Sequence, residues 1–127
     1  MLEKYGAVFP NVDLSDEAAT LAAFDQIKLR FKAYFALINI AGGFRFETIS
    51  QGSAATFDSL YSLNVRTTLN ASKAAVHELI ANKGTIVNIG AYAALQAKTG
   101  MGAYAASKSA VHRLTEALAV FIHLVPV

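Results

Sequence analysis

A chain of 127 residues with 54% apolar and 16% charged residues has the makings of one packed domain, which excludes a disordered segment. Its net charge of +2 comes from scattered basic residues, which excludes the clustered patch of a nucleic-acid binder. The absence of cysteine excludes a disulfide framework and a thiolate metal site.

Short apolar runs alternate with stretches of helical period, the pattern of a parallel α/β sheet. "GAVF" (6–9) reads as a short strand, limited by Pro10. Ser15 is the expected cap of a helix whose first turn holds Asp16 and Glu17, both favourable to its dipole. Leu21, Phe24, Ile27 and Phe31 form its apolar face. "YFALINI" (34–40) reads as a strand buried on both faces and broken at Gly42-Gly43. A loop and turn (44–58) lead to a long helix with Val65, Leu69, Ser72, Val76 and Leu79 on one face, ended by Gly84. "TIVNI" (85–89) is the next buried strand. After Gly100 and Gly102, a helix carries Tyr104, Lys108, Val111, Leu114 and Leu118, and "FIHLVPV" (121–127) reads as a last strand stopped by Pro126.

His77, His112 and His123 show no ligand spacing, so no metal site is expected. No apolar stretch is long enough to span a membrane, and charges near the N-terminus replace a signal-peptide core, so the expected location is the cytoplasm. The apolar fraction is high for so small a domain. That implies surface meant for a partner subunit, or a chain cut from a larger body.

In open parallel sheets, ligands bind beyond the carboxyl ends of the strands. Asp13, the Asn39–Gly43 run, Gly90-Ala91-Tyr92 and Pro126-Val127 stand at those ends. Tyr104 and Lys108, four apart, share one helix face. A phenol is a poor acid–base at neutral pH, and a neighbouring ammonium favours its phenolate, so the pair suits proton exchange with a carbonyl or alcohol. By itself a Tyr-x-x-x-Lys spacing is a weak signal, equally met by a solvated helix face.

The surroundings sharpen it. "INIAGG" (38–43), "LNV" (63–65), "GTIVNIGAYAAL" (84–95) and "YAASKSAV" (104–111) occur in one order. Together they resemble the short-chain dehydrogenase/reductase family from about residue 6 onward. The resemblance implies a three-layer Rossmann-type α/β sheet over 1–127, truncated or incomplete, and NAD or NADP as cofactor. It implies that Tyr104 is the general acid–base and that Lys108 lowers its pKa and holds the nicotinamide ribose. It implies that Asn64, at a bend in the long helix, holds a water in the proton relay. Asn39, Ala41 and Gly42 would lie beside the adenosine side of the cofactor, with Ile40 replacing a family Asn. Asp13, followed by Leu14, would contact the adenine. Pro126 would stand beside the nicotinamide, with Val127 where the family has Gly. Plainer readings stay open: Asn39 and Asn64 as backbone ties, Asp13 as a turn residue, Gly42-Gly43 as a tight turn.

Two departures matter. Thirteen residues before Tyr104 the family has a catalytic Ser, and here stands Ala91. Losing such a donor costs about 10²–10³-fold in rate. "GAYAALQAKTGMGAYAASKSAVHRL" (90–114) resembles the Ser-less dihydropteridine reductases, so an easily reduced heterocycle such as a quinonoid dihydropterin is one expected substrate. The family's Gly-x-x-x-Gly-x-Gly phosphate cradle also has no counterpart among the 127 residues. By themselves these residues are therefore expected to lack appreciable turnover. The alternative to an oxidoreductase is an inert fragment that keeps the fold and the oligomer interface. A homodimer or homotetramer is expected through the helices bearing Asn64 and Tyr104, with Ala71, Ala74, Ala75, Ala106 and Ala110 on their outer faces.

Overall fold

The computed structural model describes residues 6–124. In chain order the elements are helix α1 (Glu17–Phe31), strand β1 (Ala36–Asn39), helix α2 (Ala54–Tyr61), a π-turn (Ser62–Arg66), helix α3 (Thr67–Ala81), strand β2 (Thr85–Asn88), a 3₁₀ turn (Tyr92–Ala94) and helix α4 (Gly102–Leu124). β1 and β2 pair in parallel, in a register that sets Leu37 beside Ile86 and Asn39 beside Asn88. A parallel pair needs a crossover, which α2, the π-turn and α3 supply.

The helices gather on one face of this sheet. That face carries Leu37, Asn39, Ile86 and Asn88, and packs on α3, with Asn88 also bonded to Thr115 of α4. The core centres on α3 and α4, where Val65, Ala71, Ala75, Val76, Leu79, Ala105 and Val111 are buried. α1 lies along α3, flanked by an ion pair from Lys28 to Glu78 at 2.7 Å and another from Lys73 to Glu17. The Lys28 ammonium, then Asn82, holds the Glu78 carboxyl below its ordinary value.

Several expectations change. Both strands have one covered face only: Ile38, Ile40, Val87 and Ile89 are exposed on the other, and the second helix layer of the expected fold is not among the described residues. "GAVF" (6–9) forms no strand, because no described neighbour offers it a ladder to join. Residues 121–124 continue α4, since the helical period set by Leu114 and Leu118 runs on with no breaker before Pro126. Pro126 and Val127 lie outside the described residues.

The cap of α1 is Asp16, whose carboxylate accepts the Ala19 N–H at 2.8 Å. Ser15 instead donates its N–H and hydroxyl to Asp13. On α1 the buried residue is Thr20, while Leu21 and Phe31 are exposed, because only the side against α3 is covered. Leu69 likewise faces outward, whereas Val65, Ser72, Val76 and Leu79 point inward as expected. Ala71 and Ala75 are core residues and not outer ones.

Gly100 holds the loop before α4 in place. It adopts a φ of +77°, and a Cβ there would stand 2.2 Å from the Phe46 ring. Its carbonyl accepts the Glu47 N–H at 3.0 Å, which staples the 44–47 loop to the 97–101 loop. Gly100→Ala combines a left-handed backbone with overpacking. It should destabilise the fold by about 2–4 kcal/mol, measured as a lowered urea midpoint. An unchanged midpoint would show that this staple carries little.

Candidate active site

The strand ends are built by asparagines. Register places Asn39 and Asn88 side by side, and the Asn39 amide donates to Asn88 Oδ1 at 2.8 Å and to Ser72 Oγ at 3.2 Å. Asn88 in turn donates to Thr115 Oγ1 on α4 at 2.9 Å. This chain of amides ties both strand ends to α3 and α4. Beyond it the backbone is free to turn outward through Ala41 and Gly42, both exposed.

The π-turn gives Asn64 its place. A π-turn inserts one residue into the helical ladder and displaces the side chains around it. Here it buries Asn64 completely and aims its amide at the Gly42–Gly43 bend. Oδ1 accepts the Gly43 N–H at 2.7 Å, while Nδ2 donates to the Gly43 carbonyl at 3.0 Å and to Ser107 Oγ at 2.9 Å. Ser107 passes its own proton to the Tyr104 carbonyl at 2.7 Å. One side chain thus clamps the turn after β1 to the first turns of α4. Gly42 must be glycine for this approach, since a Cβ would stand 2.8 Å from Asn64 Oδ1 and 3.4 Å from Lys108 Nζ.

Lys108 is buried, and its Nζ donates to the Ile89 carbonyl at 2.8 Å. Among the described residues it has no carboxylate partner. Burial pulls its ammonium below the usual lysine value. An ammonium has three donors, so two remain beside Gly42 and the exposed strand end.

Tyr104 lies one helical turn earlier. Its ring meets Phe44 edge-on, with centroids 4.9 Å apart, and both line a cavity of about 380 Å³ with Ala91, Tyr92 and Met101. The 3₁₀ turn that forms the far wall is pinned to α4 by Ser109, whose hydroxyl donates to the Ala94 carbonyl at 3.0 Å. Ala91 presents no hydroxyl to this cavity.

The remaining residues singled out from the sequence sit differently. Asp13 is fully exposed, and its carboxyl, bonded by the Ser15 hydroxyl and N–H, lies below its ordinary value. It caps a turn. The Leu14 carbonyl accepts from Asn70 at 3.0 Å and from Thr20 at 3.2 Å, which fastens this segment to α3. Sequence reasoning missed Ser107, Asn88, Phe44 and the His112 ring, which presses on Gly90 so closely that a Cβ there would be 2.7 Å from its Nε2. Asn88 had a signal: it ends its strand just as Asn39 does. Ser107 stood inside "YAASKSAV" one position before Lys108, whereas Phe44 and His112 had no signal, because only folding brings them there.

Among the described residues no three His, Asp or Glu side chains gather as metal ligands, and no helix is long and apolar enough to cross a membrane.

Comparison with known proteins fits this arrangement. The chain is 35% identical over 122 residues to 2-(S)-hydroxypropyl-CoM dehydrogenase 3 of Xanthobacter autotrophicus, which covers 94% of this chain and 48% of that protein. The crystal structure of NAD⁺-bound xylitol dehydrogenase superposes with a TM-score of 0.83 at 27% identity, over 87% of this chain and 44% of that one. A short chain dehydrogenase from Burkholderia cenocepacia in complex with NADP gives a TM-score of 0.80 at 32% identity, over 88% of this chain and 46% of that one. The chain spans about half the length of the proteins it matches. The profile of the short chain dehydrogenase family matches residues 2–123, and the chain belongs to that family.

Proposed function

We propose that the protein is an NAD(P)-dependent oxidoreductase that moves hydride to or from a carbonyl or alcohol, or to an easily reduced heterocycle such as a quinonoid dihydropterin. Lys108 carries this reading. A buried ammonium held by one carbonyl, with no carboxylate, is costly to keep in a fold and useful at a site.

The residues present fit the nicotinamide half of the cofactor. Lys108 has two donors left for the ribose hydroxyls, and Gly42 leaves the space beside its Nζ that a Cβ would fill. Bound NADH or NADPH supplies the hydride. Tyr104 gives its phenolic proton to the carbonyl oxygen, or to a nitrogen of the reduced heterocycle, and takes it back in the reverse direction. Asn64 positions Gly43 and, through Ser107, the first turns of α4; a water of the proton relay would be held beside it. Asn39 and Ala41 are assigned to the cofactor's adenosine side, with Asp13 and Leu14 toward the adenine and Pro126 toward the nicotinamide. Gly42, expected on the adenosine side as well, is moved in this reading to the nicotinamide half because a Cβ on it would stand 3.4 Å from Lys108 Nζ. These 127 residues hold no glycine-rich cradle for the cofactor's phosphates.

Ala91 supports a substrate that needs no serine donor, and it equally favours the second reading, an inert scaffold. Turnover separates them. In the full-length protein, Ala91→Ser should raise ketone reduction by about tenfold or more, up to the 10²–10³-fold that such a donor contributes. The expectation for dihydropterin reduction is little change. No NADH or NADPH oxidation with either substrate class, before or after the substitution, would leave the inert scaffold as the better account.

We also assign the protein to the cytoplasm as a homodimer or homotetramer through α3 and α4. Support for the oligomer comes from the apolar groove between these helices, where Leu69 and Phe121 are exposed beside Leu114 and Leu118.

A further inference from the structure

We infer that the cavity beside Tyr104 selects carbonyl substrates bearing an anionic group remote from the reacting oxygen, and that Lys98 is the residue that recognises it. This rests on the reading of Tyr104 as the proton donor. The cavity, at about 380 Å³, falls at the small end of the range for small-molecule sites. Its walls are mainly apolar, with Phe44, Ala91 and Met101 around the Tyr104 ring. Gln96 and Lys98 line it from the 96–98 segment, and Lys98 is the one charged residue among those that line it. The Gln96 side-chain oxygen is occupied, accepting the Tyr92 hydroxyl at 3.1 Å.

Lys98 makes no ion pair among the described residues, and no carboxylate lines the cavity. The acid on the stapled loop, Glu47, is turned away to Thr56 Oγ1 at 3.0 Å and the Ser53 N–H at 3.4 Å. The backbone that carries Lys98 is fixed. Its carbonyl accepts the Met101 N–H at 3.0 Å, and the adjoining Gly100 carbonyl accepts the Glu47 N–H at 3.0 Å. A lysine on a held backbone beside an apolar cavity discriminates by charge: its side chain gives a carboxylate a partner, whereas an alkyl end of the same shape gains none. Tyr104 and Lys98 line the same cavity, so a substrate seated with its carbonyl at Tyr104 has its remaining chain in the space that Lys98 borders.

The test uses the full-length protein and the isosteric pair 2-octanone and 7-oxooctanoate, with octanoate as a non-reacting probe. At low salt, kcat/KM should favour the oxoacid by roughly three- to tenfold, as expected for a partly exposed charge pair. Lys98→Met should bring that ratio toward one, mainly through KM. Lys98→Arg should keep it, and Lys98→Glu should reverse it. Octanoate binding, followed by equilibrium dialysis, should weaken in Lys98→Met by a similar factor. Equal use of the two ketones by the wild type, a ratio that survives Lys98→Met, or octanoate binding indifferent to Lys98 would overturn the inference. An absence of turnover with octanoate binding still dependent on Lys98 would count against the oxidoreductase reading and leave the anion-selective cavity standing.

Discussion

Tyr104→Phe is expected to lower kcat by about 10²–10⁴-fold, the range that general acid–base catalysis contributes, with little change in substrate KM. The ring stays, so its edge contact with Phe44 and the cavity wall stay with it. The α4 backbone also stays, because Ser107 bonds the Tyr104 carbonyl and not its hydroxyl. Only the hydroxyl is removed. Steady-state kinetics together with an unchanged melting temperature check this. A variant that keeps most of its turnover would show that another group moves the proton.

Lys108→Met is expected to separate activity from stability. Activity should fall by about 10²-fold or more if, as proposed, Lys108 holds the ribose and favours the Tyr104 phenolate. Stability at neutral pH should stay the same or rise. Burial pulls Lys108 below the ordinary lysine value of 10.5, so over the interval between the two values the unfolded chain holds a proton that the folded chain has released. The cost of burying the cation is therefore fully present below the folded value and is relieved as pH rises toward 10.5. Methionine removes that cost at neutral pH while filling similar space. The same shift predicts that wild-type activity declines on the alkaline side earlier than an exposed lysine would dictate. Denaturant melts and a pH–rate profile of both proteins check the pair of effects. A variant both inactive and strongly destabilised would mean that Lys108 is mainly structural.

What could be read from the sequence follows from which forces are local. The helical period of Val65, Ser72, Val76 and Leu79 marked the inward face of α3, because one partner layer decides it. Leu69 obeyed the same period yet faces outward, since the apolar groove beside it belongs to α4 and appears only after packing. The run from Phe121 was misread as a strand because β-branched and aromatic residues favour either state, and continuation of α4 overrode them. At the site, the four-residue spacing of Tyr104 and Lys108 was legible because one helix sets it. The reach of Asn64 to Gly43 crosses 21 positions and depends on a π-turn; the resemblance put a bend at Asn64, but no local residue pattern showed its partner. Asp13 shows the reverse: it was read at the end of a strand over 6–9, and with no strand there the bonds from Ser15 hold it in a turn.

The claim that Gly42 and Lys108 make one half of a nicotinamide site is tested most directly by titrating NADH and NADPH into the full-length protein and following nicotinamide fluorescence. The account predicts saturable binding of at least one of the two. It also predicts marked weakening in Gly42→Val, whose side chain would press on Asn64 and Lys108. Absence of saturable binding for both cofactors, or binding that Gly42→Val leaves untouched, would contradict it.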